Sequence, residues 1–171
     1  MKAIRLIALA ACMAATLDAS AQEQEIRLFS HRGGRMEHDE NTLSAFQASY
    51  DAGYRGFETD IRMTRDGALV ITHDSSLERT TDGTGTVEEK TEAEIRQLAT
   101  KQGNKMMFLD ELLEFLKGKE GLYVEFEMKT KPVELYPEER LHAYCDKLYD
   151  AVMAVKPADA VFVFTSGDYR G

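Results

Sequence analysis

Cysteine is scarce in this sequence: Cys12 and Cys145 are the only two. Cys12 falls in an apolar run at the start, so the remainder of the chain has one thiol. That excludes an intramolecular disulfide and a cysteine-based zinc site. Cys145 lies in a helical pattern and reads as a small, buried apolar residue. Positive charge is also in short supply. With 21 Lys and Arg against 30 Asp and Glu, the formal charge is −9, which argues against nucleic acid as a partner. Such a surface also repels anionic substrates unless a cation or local basic groups intervene. No fixed-period repeat, low-complexity tract or interdomain linker breaks the chain. No serine or cysteine nucleophile motif is present, and Ser30 beside His31 is weak ground for one. A length of 171 residues suits one domain with its own core.

The start of the chain reads as a secretory signal. Lys2 and Arg5 give a positive start, residues 4–17 are mostly apolar, and Ala19-Ser20-Ala21 forms a small-residue cleavage site before Gln22. The run is too short and wrongly flanked for a membrane span. We therefore expect a signal over residues 1–21, a mature chain over 22–171, and export to the periplasm or the cell exterior. Leu9-Ala10-Ala11-Cys12 resembles a bacterial lipoprotein box. A lipid anchor at Cys12 is the alternative, and the only membrane contact the sequence suggests.

What remains alternates between strands and helices. Residues 26–30 read as a first strand leading into the loop His31-Arg32-Gly33-Gly34. A helix follows, with Asn41 or Thr42 as its cap and Gly53 as its stop. Residues 57–74 then carry Glu58, Asp60 and Arg62 on one face of a strand, with Phe57, Thr59 and Ile61 on the other. Arg65-Asp66-Gly67 is a hairpin turn, 68–72 the return strand, and His73-Asp74 its end. Residues 75–89 form a polar loop and 91–99 a short helix with a capping-box start. Further helices are expected over 109–116 and 137–155. A third strand over 122–128 aligns Tyr123, Glu125, Glu127 and Lys129, and a fourth covers 161–164. Such alternation implies an α/β fold with parallel strands and right-handed crossovers. Its polar residues gather at the C-terminal strand ends, where such folds bind ligands.

Glu58, Asp60 and Glu127 offer three hard oxygen ligands from two strands. Carboxylates alone favour one calcium or magnesium ion over zinc or copper. Glu125 is a further ligand or a neighbour of the ligands. His31 and His73 are proton-transfer candidates, since histidine titrates near neutral pH. Arg32 and Lys129 supply positive charge for an anionic substrate group. The combination suits a phosphodiester better than an acyl group. His38 and His142 have no supporting residues and read as surface positions.

HRG at 31–33, ENTLSAF at 40–46, E-T-D at 58–60, T-R-D-G at 64–67, H-D at 73–74, L-E-R-T-T at 77–81 and E-M-K at 127–129 resemble glycerophosphodiester phosphodiesterases in order and spacing. The resemblance implies a TIM-type (β/α)₈ barrel with a divalent cation. It makes His31 and His73 the acid/base pair, Glu58, Asp60 and Glu127 the metal ligands, and Arg32 and Lys129 the phosphate contacts. Glu40 and Asn41 match the E-N-T motif at the rim of the site. The implied reaction is hydrolysis of a glycerophosphodiester to an alcohol and glycerol 3-phosphate. A related phospholipase of D or C type, or a non-catalytic half-barrel that binds metal or a partner, is the alternative. A carbohydrate hydrolase fits worse, because the neighbouring His, Arg and Lys do not serve it. A full barrel takes about 250 residues and eight strands. Four β/α units are legible here, so we expect the first half of a barrel, with Phe29 and Tyr123 as candidates for exposure and with aggregation, or a homodimer that completes the barrel, as the outcome.

Overall fold

The computed structural model describes residues 28–170. The expected signal over 1–21 and Cys12 lie outside the described residues. Among the described residues, no helix is long and apolar enough to cross a membrane.

The strands are β1 (Phe29–His31), β2 (Gly56–Met63), β3 (Leu69–Ile71), β4 (Tyr123–Met128) and β5 (Val161–Ser166). The helices are α1 (Leu43–Asp51), α2 (Glu92–Ile95), α3 (Leu109–Leu116) and α4 (Glu138–Val155). Strands β1, β2, β4 and β5 are parallel neighbours in that order, and β3 joins β2 antiparallel through Ile61–Ile71 and Met63–Leu69. The fold is α/β, the sheet-and-helix arrangement of part of a barrel, as the alternation of elements implies.

Register decides which residues meet. His31 lies beside Glu58, Glu58 beside Glu125, and Asp60 beside Glu127. Paired positions in parallel strands point to the same side, so these acids and His31 share the inner face. Phe57, Ile61, Val124 and Phe126 point outward into the main core against α1, α3 and α4. Apolar residues on one side and ionisable ones on the other make this a one-sided core. Tyr144 on α4 donates to the Ile61 carbonyl at 2.8 Å, which ties α4 to β2 next to Asp60. A second small core forms under the 75–108 segment, from Val70, Leu77, Val87, Ile95, Met106 and Phe108. The polar composition of residues 75–89 concealed that Leu77 and Val87 anchor this loop.

Several boundaries differ from expectation. The first strand is Phe29–His31, so His31 is the last strand residue and not a loop residue. The short helix ends at Ile95 because Ala99 and Thr100 instead bridge to Lys105 and Thr81. Its capping box is present, Thr91 and Glu94 bonding each other's backbone N–H. The 109–116 helix matches its expected limits. Cys145 is only partly buried. Phe29 is 40% exposed, but Tyr123 is half-buried and packs edge-on against it at 4.8 Å.

Phe126 is fully buried and packs on Phe162 and Phe164 at 5.4 and 5.7 Å between ring centroids. Phe126→Ala should therefore cost about 3–5 kcal/mol, read as a lower urea midpoint. A loss below ~1 kcal/mol would show that β4 and β5 are not held together by this contact.

Candidate active site

Glu58 and Asp60 alternate inward from β2, and Glu127 joins them from β4. Glu58 is 8% exposed and Asp60 fully buried. One oxygen from each of the three carboxylates lies within 4.8 Å of the others. Three negative charges so close, two of them away from water, are costly unless matched by cations. Protein cations do part of this. Lys129 Nζ lies 2.5 Å from Glu127 Oε1 and 3.2 Å from Asp60 Oδ1, and Arg32 Nε lies 3.1 Å from Asp60 Oδ2. The compensation is incomplete. Glu58 Oε1 and Asp60 Oδ1 are buried without a hydrogen bond, so the Lys129 and Arg32 contacts on Asp60 are charge pairs rather than well-aligned bonds. Burial first, then the Asp60 charge, pushes the Glu58 carboxyl up to about 7. Unpaired buried carboxylate oxygens converging from two strands suit a hard divalent cation. Glu125, although on the same face, lies outside this cluster.

The loop after β1 is shaped around Glu58. Arg32 has a left-handed backbone, φ 54°, which costs a non-glycine residue about 1–2 kcal/mol. In that conformation its N–H meets Glu58 Oε2 at 3.1 Å. Gly33 continues the turn, and a Cβ there would sit 3.0 Å from the side chains of Ala45 and Phe46. The Arg32 guanidinium is nearly buried between Asp60 and Glu40.

Asn41 is not at the rim. It is 4% exposed, and its Nδ2 donates to Asp60 Oδ2 at 2.9 Å. The residue therefore orients a carboxylate from below; its φ of 58° is one asparagine tolerates well. Glu40 is half-buried and takes a two-pronged contact from Arg79, at 2.7 and 3.1 Å. Burial alone would raise its pKa, but Arg79 and Arg32 outweigh that and hold it below the usual range.

His31 Nε2 is 3.5 Å from Glu58 Oε2. Burial, then the charges of Arg32 and Arg35, lower its pKa, which favours the neutral ring. His73 contributes to the same shift, so the two imidazoles are within electrostatic reach of each other. His73 Nδ1 contacts Asp74 Oδ1 at 2.6 Å, which leaves Nε2 for proton exchange. Arg79 bonds the other Asp74 oxygen. Burial would raise Asp74, but Arg79 and His73 hold it down at about 2. Asp74 and Arg79 stood inside the H-D and L-E-R-T-T motifs without a role. Geometry gives them one: His73, Asp74, Arg79, Glu40 and Arg32 form a continuous chain of contacts that ends on Asp60. A cavity of about 260 Å³ opens alongside, lined by Glu127, Lys129 and Lys131 among others. His142 is exposed and His38 half-buried, both away from these contacts.

The model of the glycerophosphoryl diester phosphodiesterase family matches residues 31–166. The chain belongs to that family. It is 37% identical over 123 residues to a glycerophosphodiester phosphodiesterase of Caldanaerobacter subterraneus, a match covering 67% of this chain and 50% of that protein. Among solved structures it resembles a phosphodiesterase of Oleispira antarctica in complex with the product sn-glycerol-3-phosphate, with TM-score 0.72 and 29% identity over 85% of this chain and 59% of that one. A glycerophosphodiester phosphodiesterase of Agrobacterium tumefaciens gives TM-score 0.67 and 28% identity, covering 85% and 59%. The chain thus spans about half the length of the relatives it matches.

The raised Glu58 carboxyl links cation binding to pH. A proton on Glu58 must leave before the carboxylate can bind a cation. Magnesium affinity should therefore climb as pH rises from 6 to 8, by up to ~10-fold per unit below the Glu58 pKa, and calorimetry should show proton release. Without cation the sign is opposite. A raised carboxyl stabilises the fold most at acidic pH, and that contribution fades as pH rises from about 4.5 through about 7. Affinity that does not change between pH 6 and 8 would remove Glu58 from the ligand set.

Proposed function

We propose that this chain carries the acid/base and metal-binding part of a glycerophosphodiesterase site, for hydrolysis of a glycerophosphodiester to an alcohol and glycerol 3-phosphate. The observation that carries it is the convergence of two imidazoles, three carboxylates, Arg32 and Lys129 at one end of one sheet. Glu58, Asp60 and Glu127 fit a calcium or magnesium ion, because two of their oxygens are buried and lack hydrogen bonds. A bound divalent cation would polarise the phosphoryl oxygens. Lys129 and Arg32, no longer needed to neutralise Asp60, would turn to the phosphate. Of His31 and His73, one takes the proton from the attacking water and the other gives one to the leaving alcohol. Asp74 holds the His73 ring for that role through Nδ1. The product named in the Oleispira antarctica complex is the product expected here.

Export of the mature chain belongs to the same proposal, since a periplasmic or extracellular enzyme would meet headgroup diesters there. So does a homodimer. Among the described residues β1 and β5 are the outer parallel strands, and Val161 is 43% exposed. Two copies joined at these strands would bring four parallel strands each into one ring. Light scattering on residues 22–171 should give the mass of two chains, and a monodisperse monomer would end the dimer proposal.

With glycerophosphocholine as substrate, hydrolysis should cease in excess chelator and return with magnesium or calcium. His31→Ala and His73→Ala should each lower kcat by roughly 10²–10⁴-fold. Their combined loss should fall well short of the product of the two, because they serve one reaction. Full turnover in chelator, or a His73→Ala variant near wild type, would refute this reading.

A further inference from the structure

Arg62 is the next inward position on β2 after Asp60, is 6% exposed, and has no part in the chemistry so far. Its guanidinium reaches three segments at once. Nε donates to the His73 carbonyl at 2.9 Å, and Nη1 lies 2.9 Å from the Lys131 carbonyl and 3.3 Å from that of Lys129. Nη1 also meets Glu88 Oε1 at 2.7 Å. Glu88, 3% exposed, is held in turn by Tyr136 Oη at 2.9 Å and by Ser75 Oγ at 2.6 Å. Burial, then Glu88, raises the Tyr136 pKa, so the phenol stays a donor. Tyr136 Oη also accepts the Met63 N–H at 3.2 Å.

An ion pair this deep is a poor source of stability, because desolvation offsets most of the attraction. What it supplies is position. Lysine has one donor nitrogen and could not reach the His73 carbonyl through one nitrogen and the Glu88, Lys129 and Lys131 acceptors through another, as the planar guanidinium does. Two of the carbonyls belong to residues whose side chains enter the site: His73, and Lys129, whose ammonium sits on Asp60 and Glu127.

We propose that Arg62 is a positioning residue that fixes the backbone at His73 and at Lys129 together, with Glu88 and Tyr136 as its anchor. The proton-transfer group after β3 and the phosphate-binding group after β4 thereby keep one spacing. This rests on the phosphodiesterase reading for the roles of His73 and Lys129, but the geometric claim can be measured without turnover.

The experiment compares the wild-type chain with Arg62→Lys and Glu88→Gln. It records ¹⁵N-histidine ring spectra, binding of sn-glycerol 3-phosphate with magnesium present, and kcat and KM for glycerophosphocholine. In Arg62→Lys the His73 ring signals should move while those of exposed His142 stay in place. Affinity for sn-glycerol 3-phosphate should drop about tenfold. The kcat should fall on the order of 10²-fold, the scale of a roughly 1 Å misplacement, and by more than KM rises. Glu88→Gln keeps the size and most hydrogen bonds. It should give the same pattern in weaker form, and it carries the test if Arg62→Lys does not fold. Unmoved His73 signals in a folded variant, or a lower melting temperature with unchanged kcat, would overturn the proposal. An inactive wild type with His73 signals that still respond to Arg62→Lys would refute the phosphodiesterase reading and leave the positioning role standing.

Discussion

Two carboxylates separated by one residue on a buried strand set the terms for everything around them. Glu58 and Asp60 cannot both stay ionised and dry without positive charge nearby, and the chain sends it from every side. Arg32 comes from the end of β1 in a left-handed conformation, Lys129 from the end of β4, and Asn41 from below with a neutral donor. Glu58 is still left raised to about 7, so the protein's own cations do not saturate the cluster. A site built this way could hold an added cation. Lys129 and Arg32 hold Asp60 here, and in the proposed mechanism a bound cation would free them for an anion.

The sheet makes this possible by having two unlike faces. Outward, Phe57, Ile61, Val124 and Phe126 pack against helices and hold the strands rigidly. Inward, the same strands present His31, Glu58, Asp60 and Glu127 in one layer fixed by parallel register. Around that layer two networks fix the loops. One runs from His73 through Asp74, Arg79 and Glu40 to Arg32 across the opening. The other runs beneath, through Arg62, Glu88 and Tyr136. His73, proposed for proton transfer, is thus held by its ring on the first network and by its backbone carbonyl on the second.

Much of this was legible in the sequence because it is periodic. Alternation over residues 57–63 separates the acids from the core side chains before any fold is known, and the i, i+3, i+4 spacing sets the 109–116 helix. Pairings between distant residues were not legible. Nothing local to Glu88, in a polar loop, announces a partner 26 residues away in Arg62 or 48 away in Tyr136. Asn41 was placed at the rim only by its match to the E-N-T motif, and the return of that stretch over Asp60 buries it. The first strand runs one residue further than expected, to His31. The partner positions on β2 start at Gly56 and bring β1 forward to His31. Asp74 was the most recoverable omission, since it is adjacent to His73 and a carboxylate is the common partner of imidazole Nδ1.

The central claim is that Glu58, Asp60 and Glu127 form one cation site now shared with Lys129 and Arg32. Anomalous diffraction from crystals soaked in manganese, which takes the same oxygen ligands as magnesium, tests it most directly. The account predicts a single strong peak bonded to one oxygen from each of the three carboxylates, with Lys129 Nζ displaced from Asp60. No peak at these residues, or one with Lys129 still seated on Asp60 Oδ1, would contradict it.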